Sequence, residues 1–173
     1  IGTGMACYAD GHYLTNPDKM ARKEAQQVLI DFLEAAHILG DTVVLFGLMK
    51  GPLPDPRERE KYKDILFESL QPVIEAAEKF GNDLTIEAIN RFQAAYLWSA
   101  DETLEFVERF DSKRATIHLD TFHINIEDKD MERAIRICKD RLGYFHVSDS
   151  DRAHPGHGHF DFKKCIEVLY DIG

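Results

Sequence analysis

The sequence predicts a parallel α/β fold, with a (β/α)8 barrel and a doubly wound sheet as the two architectures to choose between. Three observations lead there. Short, β-branched-rich apolar runs alternate with stretches of helical period, a pattern that requires parallel pairing through right-handed crossovers. No run is followed by a GxGxxG or GxxxxGKS/T segment, the usual mark of a nucleotide-binding doubly wound sheet. Polar residues also gather on one parity of the later strands, and a barrel has a place for such a face.

In chain order, Asn16-Pro17 supplies a capping side chain and a proline at the first helical position. Apolar residues then recur at Ala21, Ala25, Val28, Leu29, Phe32, Leu33 and Ala36, with Gly40 as the expected stop. Thr42 to Gly47 reads as a strand buried on both faces. The charged run Arg57 to Lys61 reads as the solvated start of a second helix, which carries Leu66, Leu70, Val73, Ile74 and Ala77 and stops at Gly81. Strand Leu84 to Ile89 leads to a helix opened by the capping box Ser99-Ala-Asp-Glu102. Strand Ala115 to Asp120 leads to a helix with Met131, Ala134, Ile135 and Cys138 on one face. Strand Tyr144 to Ser148 leads to a helix facing inward with Phe162, Cys165, Ile166 and Leu169. The opening Ile1 to Tyr8 segment reads as one more strand, making five strand–helix units in a single domain over residues 1–173.

Composition narrows the functional classes. Apolar residues make up 44% and charged residues 30%, ordinary for a globular protein, and no apolar run approaches the ~18–20 residues of a membrane span. A cytoplasmic enzyme is expected. A formal charge of −10 repels a phosphate backbone, so nucleic acid is not an expected partner. Cys7, Cys138 and Cys165 lack CxxC spacing and are expected as buried reduced thiols. The opening Ile-Gly-Thr-Gly has neither an initiator Met nor a signal-peptide pattern, so the chain is expected to begin inside a longer one.

Parity then singles out a site. Thr85 and Glu87 alternate with Leu84, Ile86 and Ala88; Thr116, His118 and Asp120 with Ala115, Ile117 and Leu119; Tyr144, His146 and Ser148 with Phe145 and Val147. In a barrel the apolar parity meets the helices and the other points inward, becoming polar at the C-terminal mouth where active sites of this architecture lie. Glu87, Asp120 and His146 are spaced by 33 and 26 residues, about one βα repeat each, so they are expected side by side around that mouth. A lone acid at a strand end commonly caps a helix, but two carboxylates and an imidazole on one face make a mixed oxygen and nitrogen site for Mn²⁺, Mg²⁺ or Co²⁺, with Zn²⁺ also compatible. His118, one layer below, is expected as a hydrogen-bonded core residue. His157 and His159, in a Pro/Gly turn, are expected to shape a loop. Cys7 and Tyr8 are assigned either to the pocket lining or to ordinary packing.

The segments Ile86-Glu-Ala-Ile-Asn-Arg-Phe92, Leu119-Asp-Thr-Phe-His-Ile-Asn-Ile-Glu127 and Phe145-His-Val-Ser-Asp-Ser-Asp-Arg152, followed by Pro155 to Phe162, resemble the signature segments of the ketose 3-epimerase group (D-tagatose and D-psicose 3-epimerases) in the xylose-isomerase-like barrel superfamily. The opening Ile-Gly-Thr-Gly and Gly47–Gly51 share the resemblance, which runs along nearly the whole chain. It implies an incomplete (β/α)8 TIM barrel covering about units 3 to 7, with terminal strands missing at both ends. It implies that Glu87, Asp120 and His146 bind the metal, Mn²⁺ above all, that Glu87 is the catalytic base, and that His123 and Arg152 reach substrate oxygens. The implied reaction is C3 epimerisation of a ketose through a cis-enediolate, in a dimer or tetramer. The resemblance also places a second catalytic glutamate, the fourth ligand, in a strand following Gly173. Where the family carries a glutamate that holds the substrate end, this chain has Gln93, a substitution that keeps hydrogen bonding and removes a charge. An aldose–ketose or sugar-phosphate isomerase, an abasic-site nuclease of the same superfamily and a non-catalytic metal- or sugar-binding fragment are the alternatives. The net charge argues against the nuclease.

Overall fold

The computed structural model describes residues 1–173, apart from the side chains of Met5 and Ala6. Its centre is a parallel sheet of four strands: β1 (Val44–Phe46), β2 (Leu84–Glu87), β3 (Ala115–Asp120) and β4 (Leu142–His146). They lie in sequence order with no reversal. A doubly wound sheet reverses its strand order at a switch point, so the order selects the barrel type of winding that the inward polar parity predicted.

The helices are α1 (Gly4–Ala9), α2 (Lys19–Ile38), α3 (Arg59–Phe80), α4 (Ala100–Val107), α5 (Thr121–Glu127), α6 (Met131–Cys138) and α7 (Phe162–Ile172). Short 3₁₀ turns at Leu48–Lys50 and Pro56–Glu58 connect β1 to α3. The helix-facing parity of the sheet is fully buried: Val44, Phe46, Leu84, Ile86, Ala115, Ile117 and Leu119 all have zero exposure. Leu29, Leu33, Leu66, Leu70 and Val73 meet it from α2 and α3, and Phe106 on α4 stacks edge-on with Phe67 on α3 at 6.2 Å. Cys7, Cys138 and Cys165 are free and buried, as expected.

Four expectations are corrected. Residues 1–8 do not form a strand: Gly2 makes a single parallel bridge to Leu45, and Gly4–Ala9 is helical. Four strands therefore stand where five units were expected among the described residues. Helix α2 starts at Lys19, capped by Asp18, whose Oδ1 accepts the Met20 N–H at 2.8 Å; Asn16 instead accepts from Asp18 N at 2.9 Å, one turn of chain outside the helix. Strand β2 ends at Glu87, because the Ile89 N–H turns away to Leu97 O at 3.0 Å. Strand β4 runs from Leu142 to His146 and not from Tyr144 to Ser148. Ser148 N instead donates to Thr121 Oγ1 at 2.9 Å.

Other local signals hold. Gly81 ends α3 in the left-handed region with φ 83° and donates to Ala77 O at 2.9 Å, a conformation glycine adopts without steric cost. Ser99 caps α4, accepting from Glu102 N at 3.3 Å. Glu102 reaches one residue further back than a capping box requires, to Trp98 N at 3.0 Å, and its other oxygen pairs with Arg59 at the start of α3 at 2.6 Å.

Candidate metal and sugar site

Register decides which side chains meet. Glu87 lies beside His118 across the β2–β3 pair, and Asp120 beside His146 across β3–β4. The second pairing depends on an irregularity: Ile117 pairs with Leu142 but His118 with Tyr144, so β4 carries one extra residue, Gly143. Such a bulge shifts everything beyond it by one position, and here the shift brings His146 onto Asp120. A Cβ at Gly143 would collide with the Thr116 side chain and approach Thr85 Cγ2 to 2.8 Å, so glycine is required.

Glu87, Gln93, His118, Asp120, His123, His146 and Arg152 line one cavity of about 630 Å³ at the C-terminal ends of the strands, with Tyr8 also in its wall. All six residues expected from the sequence at the site are thus brought together. His157 and His159 are not in the lining; they bond Asp151 and Ser150 within their own loop.

Asp120 does two jobs. Its Oδ1 accepts the Phe122 N–H at 2.8 Å and caps α5, while Oδ2 lies 3.9 Å from His146 Nδ1. The capping role and the ligand role are therefore compatible in one carboxylate. Gly47 makes room for Glu87, since a Cβ there would sit 2.6 Å from Glu87 Oε2. Among the described residues no N–H or O–H donates to the Glu87 carboxylate, which lies 3.8 Å from His118 Nδ1 and 3.7 Å from His123 Nε2. Burial, opposed by the Lys50 charge and reinforced by Asp120, pushes Glu87 up to about 7. A buried carboxylate without donors is costly, and a cation is the partner that would relieve it.

Donor atoms converge in two groups that could hold a cation, Glu87–His118–His146 and Glu87–Asp120–His123, each with its atoms within 4.8 Å of one another. The hydrogen bonds discriminate between their histidines. Asn90 Oδ1 accepts the Phe92 N–H at 3.1 Å, which fixes the amide so that Asn90 Nδ2 donates to His123 Nδ1 at 2.7 Å. Burial, then the Arg152 and Lys50 charges, push His123 down to about 3, so the ring is neutral and its one proton sits on Nε2, facing the cavity. That nitrogen is a donor for a substrate oxygen and has no lone pair for a metal. His118 differs: burial and the His146 charge push it down to about 3, and both its nitrogens lack a hydrogen-bond partner among the described residues. The expectation of a hydrogen-bonded core histidine is half right; His118 is buried at 1% exposure but unbonded, edge-on to His146 with centroids at 4.2 Å. An orphaned, neutral imidazole beside Glu87 and His146 fits a site for a divalent ion.

The motif residues are tied to one another. Asn90 holds His123, and Arg91 clamps Glu127 through Nε and Nη2, at 3.0 and 2.7 Å, with its own N–H adding a third bond at 2.8 Å. The Asn-Arg of the loop after β2 thus fixes both ends of α5. Lys50 was missed from sequence. It is 1% exposed, and Nζ donates to Glu87 O at 2.6 Å, carrying a charge into the floor of the site; burial pushes it down to about 8. The only signal was a lysine within the apolar Leu45-Phe-Gly-Leu-Met-Lys50 run. Asp149 was also missed: it is fully buried and accepts from Ser150 N, Gly156 N and Phe160 N at 2.7, 2.8 and 3.1 Å. Burial raises its pKa, but these backbone donors outweigh that and hold it well below the carboxylate range. Asp149 thereby builds the loop that presents Arg152.

Comparison with known proteins identifies the family. The chain belongs to the xylose isomerase-like TIM barrel family, whose model matches residues 2–173. It is 31% identical over 167 residues to a D-psicose 3-epimerase of Ruminiclostridium cellulolyticum, covering 92% of this chain and 56% of that one. It is 38% identical over 105 residues to an L-ribulose 3-epimerase of Mesorhizobium japonicum, covering 61% and 35%. The solved D-psicose 3-epimerase with D-tagatose from Clostridium cellulolyticum H10 superposes with a TM-score of 0.87 at 28% identity, over 99% of this chain and 60% of that structure. The chain thus spans roughly half the length of such relatives, at 56% in the first case. No helix among the described residues is long and apolar enough to cross a membrane.

Proposed function

We propose that the protein is a cytoplasmic, divalent-metal-dependent epimerase that inverts C3 of a ketose, with Glu87, Asp120 and His146 holding the ion. The observation that carries this reading is the donor-free Glu87 carboxylate sharing one cavity with Asp120, His146 and the Nε2–H of His123, with Asp120 Oδ2 3.9 Å from His146 Nδ1. A bound ion, Mn²⁺ best suited to this oxygen and nitrogen set, would polarise the C2 carbonyl and acidify the C3 proton. Glu87 takes that proton as the general base. His123 donates to the oxygen on which charge develops as the enediolate forms. Gln93 and Arg152 hold the far end of the sugar. Inversion requires the proton to return from the face opposite Glu87, so a second acid must lie across the substrate. We further propose a homo-oligomer, dimer or tetramer, as the family resemblance implies.

The test is deuterium wash-in at C3 of a ketose incubated with the full-length protein and Mn²⁺ in D₂O. Exchange at C3, lowered by about a thousandfold or more in Glu87→Gln, is expected. Absence of exchange with every common ketose would overturn the epimerase reading, and exchange confined to C1 would make the enzyme an aldose–ketose isomerase.

A further inference from the structure

At the outer wall of the cavity the arrangement of polar groups is unusual in sign. Arg152 faces the cavity from the loop after β4, in the left-handed region with φ 65°. Its backbone N–H donates to Asp149 O at 2.8 Å, and its guanidinium lies 4.9 Å from the Phe122 ring centroid. Most other arginines of the chain are ion-paired, as Arg91 is with Glu127 and Arg133 with Asp101, while Arg22 and Arg141 donate to backbone carbonyls. Arg152 has no carboxylate partner among the described residues; its side chain donates to the neutral Gln93 Oε1 at 3.1 Å.

That bond also fixes Gln93. A guanidinium has only donors, so the amide oxygen must face Arg152 and the amide NH₂ is left for the cavity. The Gln93–Arg152 pair therefore offers the cavity N–H donors alone together with a positive charge that no carboxylate pairs, and the buried Lys50 adds a charge beneath the floor. A hydroxymethyl end of a sugar both donates and accepts, and uses such a wall poorly. A group with several acceptor oxygens and negative charge satisfies every donor and neutralises the guanidinium.

We propose that Gln93 and Arg152 form a subsite for an anionic end of the substrate, so that the ketose carries a carboxylate or a phosphate on its carbon chain. This rests on the sugar-epimerase reading and deepens it. The two sources of the anion share one chemistry and are separated by the probes.

The experiment measures the affinity of the full-length protein by titration calorimetry for D-fructose, D-fructuronate, D-fructose 1-phosphate and D-fructose 6-phosphate. At least one anionic probe is expected to bind about tenfold or more tightly than D-fructose, as one charge-assisted pair contributes. The carboxylate and phosphate arms identify the group, and the two phosphates identify the end. Gln93→Glu places a carboxylate on Arg152 and should remove that preference; Arg152→Gln should remove it too. Equal or tighter binding of D-fructose, no binding of any probe, or an anionic preference that survives both substitutions would each overturn the proposal. Because the readout is binding, a failure of C3 exchange with a preserved anionic preference would sink the epimerase reading alone. C3 exchange on neutral ketoses without that preference would sink the subsite alone.

Discussion

Strands β3 and β4 are neighbours that contribute one expected ligand each, yet their surroundings are opposite. Every residue of Ala115–Asp120 is buried, whereas Leu142–His146 is partly exposed along its whole length, with Tyr144 at 41%. Helices cover the outer face of β3, and β2 and β4 flank it on both sides. β4 ends the four-stranded sheet that this chain supplies. Asp120 is accordingly held by a cap bond and by neighbours on every side, while the His146 side chain is 46% exposed and is placed by register and by its contact with His118. One ligand is fixed by packing and the other by pairing.

The contrast predicts very different tolerance to truncation. Ile117→Ala removes atoms from a site with zero exposure and should cost about 3–4 kcal/mol, as buried large-to-small changes do. Val147→Ala, just past the end of β4 and 54% exposed, should stay within about 0.5 kcal/mol. Urea unfolding of the two variants checks this, and comparable losses would show that the β4 region is as tightly packed as β3.

The same contrast explains what the sequence revealed. Strand β3 was legible to the residue, because an apolar parity against helices and a polar parity inward leave a clean alternation when both faces are covered. Glu87, Asp120, His146, His123, Gln93 and Arg152, singled out by strand-end parity or by motif resemblance, all line the one cavity. The limits of β4 were not legible: its start is set by a bulge at Gly143, and a lone glycine in a strand does not announce which way the register will slip. The opening segment misled for a related reason. Ile1 to Tyr8 is apolar enough for a strand, but only Gly2 pairs with β1, and the local preference of Gly4–Ala9 gave way to a helix packed near the 3₁₀ turn of Leu48–Lys50. Lys50 escaped because its buried charge is defined by a partner distant in sequence, a carbonyl 37 residues away, and Asp149 because its partners are backbone N–H groups of its own loop, which no side-chain pattern marks.

The bulge offers a sharper break between the strands. Gly143→Ala drives a methyl group into Thr116 and Thr85, and relief requires either displacing β4 or undoing the extra residue. A loss of about 2 kcal/mol is expected, as for overpacking elsewhere. Mn²⁺ affinity should fall with it because His146 no longer sits beside Asp120. A variant with lower stability and unchanged metal affinity would show that register does not place His146.

The smallest effect concerns the cost of the cover over β3. Asp128, just past α5, accepts the Ala100 N–H at 3.2 Å and is half-buried beside Asp101 and Glu127. Burial, opposed by that hydrogen bond and reinforced by the two acids, raises it from 3.8 to about 6. The native state therefore prefers the protonated form: the stability this group contributes is fully present below pH ~4 and is lost as pH rises through ~6. Asp128→Asn keeps an acceptor for Ala100 N and removes the charge. The whole shift corresponds to about 3 kcal/mol, and solvent screening of a half-buried group reduces the expected gain to about 1 kcal/mol at pH 7.5. The gain should vanish near pH 4, where the wild-type carboxyl is itself largely neutral in the fold. Stability measured at both values decides the matter: a gain of equal size at pH 4 would mean that packing, and not charge, separates the two side chains.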